Sequence, residues 1–353
     1  MTVVFAGGGT GGHLYPAIAI ADALRQRHAN VAFIGSADRL ETTIVPKAGY
    51  PLYTIAAHAL PRTPTLRVFR AIAENVRGIV QSLRLLRAAR PDLVVATGGY
   101  VAFPVAVAAR MRRFVRLSRA PLVLLEPNAS PGLTNRLLAP IVDEVWRSTP
   151  IRASLRRLPG REEAAARLGL DPSRRTLVAV GGSQGARAIN DALLSLVAHA
   201  ALPEGWQLLH LTGESDYDRV CAQRPKDGRV IVRSYLEDMA DAYAVADLLL
   251  TRAGASTLGE LGATGKPAIV VPYPFAAEGH QAANARRLEE AGAVVILADS
   301  ELQDGRLPAV LAETTENARF AQLRENARRM QGSDPLVAIL ARIDSLVPRK
   351  DER

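Results

Sequence analysis

A single cysteine, Cys221, stands in 353 residues, which excludes an internal disulfide and a cysteine-built metal site and leaves it as filler on a helix. No run of eighteen apolar residues occurs, so nothing reads as a membrane span. The basic, apolar and cleavage-site regions of a secretory leader are missing too, because an apolar strand starts at Thr2 and glycines follow at once. A cytoplasmic protein is the expectation. There is no low-complexity tract, and no repeat beyond an echo between two glycine-rich turns.

Those turns organise the chain. TVVFAGGGTGGHLYPAIAIADAL, from Thr2 to Leu24, reads as strand, tight turn and helix, and TLVAVGGSQGARAINDALL, from Thr176 to Leu194, reads the same way. Such a turn aims backbone N–H groups and the positive end of a helix at one point, which suits a phosphate or another anion. Gly7, Gly9 and Gly12 also satisfy the GxGxxG fingerprint, but a dinucleotide site needs an acid about 20 residues on, at the end of the second strand. Here that strand, Val31 to Ile34, runs into Gly35-Ser36, and the first acid, Asp38, lies beyond it. A dehydrogenase is not expected.

The length suits two domains of about 150 residues each. Strands alternate with helices, six strands to each half, which predicts two Rossmann-like, doubly wound parallel sheets facing across a cleft, with ligands at the carboxyl ends of the strands. The first domain is expected over 1–151, joined by a C-terminal helix at about 335–353, and the second over 152–334, with Arg147 to Gly160 as linker. Helices are expected near 38–48, over 66–89 and from Pro104.

The excess charge is local. Leu60 to Ala120 carries twelve arginines, no lysine and two acids, Glu74 and Asp92, so of the net +9 the remaining chain holds about −1. A local anionic surface is a better partner than nucleic acid. Phe69, Ile72, Val76, Ile79, Leu83 and Leu86 recur at spacings of three and four, one stripe of a helix, beside Arg70, Arg77 and Arg84. A second cluster, Arg110, Arg112, Arg113, Arg116 and Arg119, surrounds Met111, Phe114, Val115 and Leu117. Together they predict docking of residues 60–120 on an anionic membrane surface, against the alternative that the stripe faces the sheet and the arginines are solvated.

Chemistry concentrates in TRAGASTLGELGATGKPAIVVP, residues 251–272. Gly254 loosens a turn, Ser256 and Thr257 can cap a helix whose N-terminus meets phosphate, and Glu260, one turn on, is placed to accept both hydroxyls of a ribose. The same residues also read as an ordinary capping box. Gly279-His280-Gln281 and Asn284 open the next helix with donors suited to sugar hydroxyls. His13 is the best general base by residue type, because imidazole titrates near neutrality; the other reading is that it only orders its loop. Asp216-Tyr217-Asp218 matches an Asp-x-Asp metal motif, but at a predicted helix start it reads as surface capping.

Six stretches in order, GGGTGGHLYPAIAIADAL, TGGYVAFP, EPNASPGLTNRLLA, GGSQGARAIN, SYLEDMADAYAVAD and RAGASTLGELGATGKPAIVVPYPFAAEGHQAANA, resemble the MurG family of N-acetylglucosaminyltransferases, glycosyltransferase family 28. The resemblance covers almost the whole chain. It implies a glycosyltransferase-B fold and an inverting transfer of N-acetylglucosamine from UDP-GlcNAc to the 4-hydroxyl of the muramic sugar of undecaprenyl-linked lipid I, giving lipid II for peptidoglycan at the inner face of the cell membrane. It puts the uracil against Leu236 with Met239 nearby, and Glu260 on the ribose. Ser183, Gln184 and Asn190, with Arg152 and the helix start Ala255-Ser256-Thr257, fall near the diphosphate and sugar. His280, Gln281 and Asn128 go to the GlcNAc, and Thr10, Gly11 and Gly12 of the first turn are assigned to the donor as well. His13, Tyr100, Glu126, Asn128 and Asn135 line the acceptor side, with Glu126 as second candidate base.

No obligatory cofactor is implied, a divalent cation acting only as a stimulant, and cell-wall synthesis proteins are implied as partners. The chain departs from the family at Leu125-Glu126-Pro127-Asn128, where His-Glu-Gln-Asn is usual. A UDP-GlcNAc 2-epimerase of the same fold, or another lipid-acceptor UDP-sugar transferase, is the rival reading. A binding-only subunit would keep one domain's motifs and lose the other's, whereas both sets are present.

Overall fold

The computed structural model describes residues 1–59, 67–182, 185–224, 227–276, 279–332 and 334–347. The chain divides into two compact units, Met1–Arg152 with Asp334–Arg353, and Ala153–Ser333. The first runs β1 (Thr2–Gly7), α1 (Gly11–Gln26), β2 (Asn30–Gly35), α2 (Glu41–Lys47), β3 (Leu52–Thr54), α3 (Arg67–Ala89), β4 (Leu93–Gly98), α4 (Ala102–Phe114), β5 (Leu122–Leu125), α5 (Leu133–Leu138) and β6 (Glu144–Trp146). The second runs α6 (Arg161–Leu168), β7 (Arg175–Val180), α7 (Arg187–Ala198), β8 (Trp206–Leu211), α8 (Tyr217–Gln223), β9 (Val230–Arg233), α9 (Ala240–Val245), β10 (Leu248–Arg252), α10 (Ala255–Thr264), β11 (Ala268–Val271), α11 (His280–Glu290), β12 (Val294–Ile296), α12 (Asp299–Gln303), α13 (Leu307–Thr315) and α14 (Asn317–Arg329). Last comes α15 (Pro335–Leu346), which returns to the first unit.

Each unit holds a six-stranded sheet, ordered β3-β2-β1-β4-β5-β6 in the first and β12-β11-β10-β7-β8-β9 in the second, with every pairing parallel. Parallel strands need helical crossovers on both faces, so they read as continuous apolar runs. Alternate residues then go to opposite cores. Val3, Phe5 and Val95 belong to one cluster of the first unit, and Val4, Ala6 and Val94 to the other. Strand order reverses between β1 and β4, and between β7 and β10, and in such sheets the crevice at the carboxyl ends of the reversing pair is where ligands sit.

α15 starts on Asp334, whose Oδ1 accepts the Leu336 N–H at 2.9 Å, with Pro335 in the first turn where its missing N–H costs nothing. Its Leu336, Ile339, Leu340 and Ile343 share the first unit's core with Leu14, Ile18 and Leu24 of α1.

α3 corrects the sequence expectation about its faces. The fully buried row is Ala71, Asn75, Ser82 and Leu86, which shares Leu86 alone with the stripe of large apolar residues expected to face outward. Asn75 accounts for part of this, since its amide nitrogen donates to the His58 carbonyl at 2.9 Å and to the Ala71 carbonyl at 2.7 Å. Gly78 accounts for more. A Cβ there would lie 2.0 Å from the Ala56 carbonyl oxygen, so the helix approaches that backbone through its small residues. Of the predicted stripe, Ile79, Leu83 and Leu86 pack inward, whereas Phe69, Ile72 and Val76 are exposed. α2 and α4 also start away from the expected positions, at Glu41 and Ala102.

Candidate active site

In the first unit the turns after β1, β4 and β5 lie side by side because those strands are neighbours. The first turn feeds α1, and His13 sits in its first turn of helix, half-buried. Its ring rests on the turn after β4: a Cβ on Gly98, whose φ is +98°, would lie 2.8 Å from the His13 Cε1 and 3.1 Å from the Asn135 amide nitrogen. Imidazole and amide therefore meet over one glycine. Tyr100, on the same turn, is half-buried and hydrogen-bonded to Arg39, which favours the charged guanidinium and raises its pKa. Thr10 is exposed, and Gly11 and Gly12 form the opening of α1.

Glu126, at the end of β5, is buried and fully engaged. Its Oε1 accepts from the Asn128 backbone N–H at 2.8 Å and from the Asn128 amide at 3.0 Å, and its Oε2 accepts from the Asn135 amide at 2.7 Å. A carboxylate bonded in this way orients two asparagines. Arg152 lies 4.8 Å over the Tyr15 ring of α1, in cation–π contact.

The second unit brings part of the set predicted for the donor, Leu236, Met239, the start of α10 with Glu260, and His280 with Gln281, to the carboxyl ends of β9, β10 and β11. Leu236 and Met239, both half-buried, stand between β9 and α9. After β10, α10 opens on Ala255, Ser256 and Thr257. Its N-cap is Gly254 with no side chain on the helix end, so the expectation that Ser256 and Thr257 cap the helix fails: they lie within its first turn. Glu260, one turn further, is buried and accepts the Tyr243 hydroxyl on Oε2 at 2.9 Å. His280 begins α11, and the Gln281 side-chain oxygen accepts the Tyr273 N–H at 2.9 Å, which ties the helix start to the segment after β11 and leaves the amide nitrogen as the donor end. Ser183 and Gln184 lie outside the described residues.

Asn190, predicted for the diphosphate and sugar, is spent inside the unit. Its amide nitrogen donates to the Thr212 carbonyl at 3.0 Å and to Asp216 at 2.7 Å, and its oxygen meets His210 Nε2 at 2.9 Å. With the amide nitrogen donating twice, the oxygen is the acceptor and His210 Nε2 carries the hydrogen. Burial holds the His210 pKa down at about 4, so the ring is neutral. Asp216 is not a surface cap either. Arg219 clasps it through Nε at 2.6 Å and a terminal nitrogen at 2.7 Å, which pulls its pKa down to about 2. Asp216 is thereby committed to protein partners, and no acidic or histidine cluster suited to a metal occurs among the described residues.

One functional candidate escaped the sequence reading. Glu41, at the start of α2, is completely buried against the first glycine turn, where its Oε2 accepts the Gly9 N–H at 2.9 Å. Its Oε1 takes both the N–H and the hydroxyl of Ser36, at 2.9 and 2.6 Å. The signal available was Gly35-Ser36 at the end of β2, an opening through which a nearby acid can reach the neighbouring turn.

On the surface, the exposed row Phe69, Ile72, Val76 and Val80 of α3 is accompanied by Arg70, Arg77 and Arg84, all exposed. At the far end of α4, Phe114 is 87% exposed and Leu117 68%, with Met111 and Val115 beside them in sequence. Arg113 is ion-paired with Asp143, and Arg112 donates to the Leu117 carbonyl at 3.3 Å, so those two are less available than the sequence suggests. Residues 60–66 of the predicted docking stretch lie outside the described residues. No helix among the described residues is long and apolar enough to cross a membrane.

Residues 3–146 match the Glycosyltransferase family 28 N-terminal domain, and residues 176–337 match the C-terminal domain of the same family. The UDP-N-acetylglucosamine--N-acetylmuramyl-(pentapeptide) pyrophosphoryl-undecaprenol N-acetylglucosamine transferase of Halothermothrix orenii is 37% identical over 94% of this chain and 95% of its own. The protein of that name in Moorella thermoacetica is 41% identical over 89% of this chain and 90% of its own. Among solved structures, Acinetobacter baumannii MurG superposes with a TM-score of 0.74 at 25% identity, covering 98% of this chain and 99% of that one.

Proposed function

This chain belongs to glycosyltransferase family 28, and on that premise we propose that it moves N-acetylglucosamine from UDP-N-acetylglucosamine onto the 4-hydroxyl of the muramic sugar in undecaprenyl-pyrophosphoryl N-acetylmuramyl-(pentapeptide), a step of peptidoglycan synthesis. One observation supports this reading: Glu260 is buried on Tyr243 one turn into a helix that opens at the carboxyl edge of the second sheet, a position that suits a ribose beside a diphosphate.

Attack of the 4-hydroxyl on the anomeric carbon, from the face opposite UDP, inverts configuration and needs no enzyme nucleophile. His13 is the general base of this reading and takes the hydroxyl proton as the bond forms. Glu126 holds Asn128 and Asn135 for the acceptor. The first turn of α10, Arg152, Ser183 and Gln184 meet the charge that gathers on the leaving diphosphate, so no metal ion is required. Leu236 and Met239 flank the uracil, and His280 and Gln281 hold the sugar.

The acceptor is a lipid, and the exposed apolar side chains of α3 and α4 among arginines suit an anionic bilayer surface, where the first unit docks. Cell-wall synthesis proteins at that surface are further partners on this reading. Incubation with radiolabelled UDP-N-acetylglucosamine and either lipid I or diacylglycerol, followed by identification of the product, tests it: labelled lipid II is expected, and a labelled glyceride or no lipid product overturns it. The epimerase alternative is not favoured, since the relatives at 37% and 41% identity carry the transferase name over nearly their full length.

A further inference from the structure

We propose that the cleft at the amino edge of the second sheet, lined by Lys266, Arg324 and Arg328, is a binding site for a small phosphate monoester, separate from the seat of the sugar nucleotide. Asp247 precedes β10 and Lys266-Pro267 precedes β11, so the cleft opens below two neighbouring strands, at the end opposite to the start of α10. It encloses about 240 Å³, under the ~300 to 1,000 Å³ usual for drug-sized ligands, which suits a phosphate on a short carbon chain and not a nucleotide. One wall is held by Gly265, at φ +62°, where a Cβ would lie 2.8 Å from the Gln331 side chain, whose amide donates to the Ala263 carbonyl at 3.3 Å.

Charge in the cleft is one-sided. Among the described residues Asp247 is the only acid that lines it, and its Oδ2 is taken by the Arg161 guanidinium and the Thr176 N–H, both at 2.9 Å. Arg161 is also committed, to the carbonyls of Pro172, Val245 and Arg174, so this pair is neutral as a unit. Glu325 of α14 pairs with Arg329 instead. Among the described residues no carboxylate lies within ion-pair distance of Lys266, Arg324 or Arg328. The Lys266 ammonium donates to the Ala246 carbonyl at 2.8 Å, which leaves two of its three hydrogens unspent.

α10 and α14 both end at the cleft, Thr264 and Gly265 closing the first and Arg328 lying in the last turn of the second. Each helix end carries about half a negative charge, so together they offset about one of the three cations. About two positive charges stay uncompensated, which matches the roughly two negative charges of a phosphate monoester near neutrality. Arg324 and Arg328 stand four residues apart on one face of α14, a like-charge pair that costs the helix stability until an anion bridges it. The Arg324 guanidinium is already oriented, 5.6 Å over the Phe320 ring. Burial holds the Lys266 pKa down at about 8, with Arg161, Arg324 and Arg328 pushing the same way and Asp247 against them. α10 has 10 residues, a length of about 15 Å at the usual helical rise, so a ligand at its end and a nucleotide at its start do not meet.

The test reads Lys266 itself. The chain has four lysines, Lys47, Lys226, Lys266 and Lys350, so trace acetylation with acetic anhydride followed by peptide mass spectrometry reports each amine separately. It is run at pH 8 on the whole chain with UDP at saturation, so that the donor seat cannot take the probe. An anion on the ammonium raises its pKa by about one unit, which alone cuts the reactive neutral fraction about fivefold. Glycerol 3-phosphate is therefore expected to slow acetylation of Lys266 by about that factor or more, saturably, and to leave Lys47 unchanged, while glycerol slows neither. Arg324→Gln combined with Arg328→Gln should abolish the protection. No protection of Lys266, or protection that survives loss of both arginines, overturns the proposal, as does protection by phosphatidic acid vesicles but not by glycerol 3-phosphate.

If the double variant does not fold, calorimetric titration decides. Wild type is expected to take up one glycerol 3-phosphate per chain more than Lys266→Met, and equal uptake overturns the proposal. Failure of UDP to bind counts against the proposed function instead, and leaves both measurements at Lys266 in force.

Discussion

Tyr243 gives its hydroxyl hydrogen to Glu260 across 2.9 Å, and both side chains are buried. The tyrosine fixes one carboxylate oxygen of the residue proposed to hold the ribose. Replacing Glu260 by alanine is expected to weaken UDP-N-acetylglucosamine binding by about 1.5 to 3 kcal/mol, the usual value of a hydrogen bond to a charged group. Tyr243→Phe should weaken it in the same direction but less. Calorimetric titration of folded variants checks both, and unchanged affinity in Glu260→Ala would remove the ribose from this residue.

His13 and Glu126 are separable by what their loss does. His13→Ala is expected to lower kcat by about 10² to 10⁴ with donor affinity kept, as for loss of a general base. Glu126→Ala leaves the amides of Asn128 and Asn135 without their acceptor, so it should also cost about 1 to 3 kcal/mol of folding stability. Parallel kcat measurements and urea unfolding check the pair. Wild-type turnover in His13→Ala would dismiss the imidazole as base.

On the proposed reading, in which a helix start meets the leaving diphosphate, activity should survive EDTA, and Asp216 is already committed to Arg219. Turnover abolished by chelator and restored by magnesium or manganese would reverse this.

Vesicle cosedimentation should rise with anionic lipid and fall with salt. Arg70→Glu, Arg77→Glu and Arg84→Glu combined should reduce it, and so should Phe69→Ser with Phe114→Ser. Arg113→Glu is a poor probe, since it first breaks the ion pair with Asp143. Binding that ignores both sets of changes would move the docking face elsewhere.

His210 makes the second unit sensitive to acid. Its folded pKa of about 4 lies below the 6.5 ordinary for histidine, so between those values the unfolded chain binds a proton that the folded chain refuses. Stability from this group is therefore complete above pH 6.5 and declines as pH falls toward 4, by about 1.4 kcal/mol for each pH unit crossed and about 3 kcal/mol in all. Urea unfolding at pH 7 and pH 5 should show a loss that shrinks in His210→Gln. An equal loss in the variant would assign it to other groups.

The alternation of strands and helices was legible because apolar runs and glycine turns are local signals. The inward face of α3 was not. The apolar spacing reads as one outward stripe, whereas here Asn75 and Gly78 bring the helix against the His58 and Ala56 carbonyls, so that Ile79, Leu83 and Leu86 turn inward while Phe69, Ile72 and Val76 stay exposed. Asp216 was misread for a similar reason: a short acidic motif at a helix start carries no trace of Arg219 and Asn190 closing on it in space. Glu41 sits in a polar stretch, and only the pairing of β1 with β2 brings it under Gly9.

α15 has a consequence for how the protein is made. The first unit is threaded from both ends of the chain, while the second is one uninterrupted segment, Ala153–Ser333. On the ribosome the glycine turn and its sheet emerge first, yet Leu14, Ile18 and Leu24 wait for Leu336 and Ile339 before their core is closed. The part translated first is the part completed last, and a message cut short just before α15 yields a finished second unit attached to an unsealed first one.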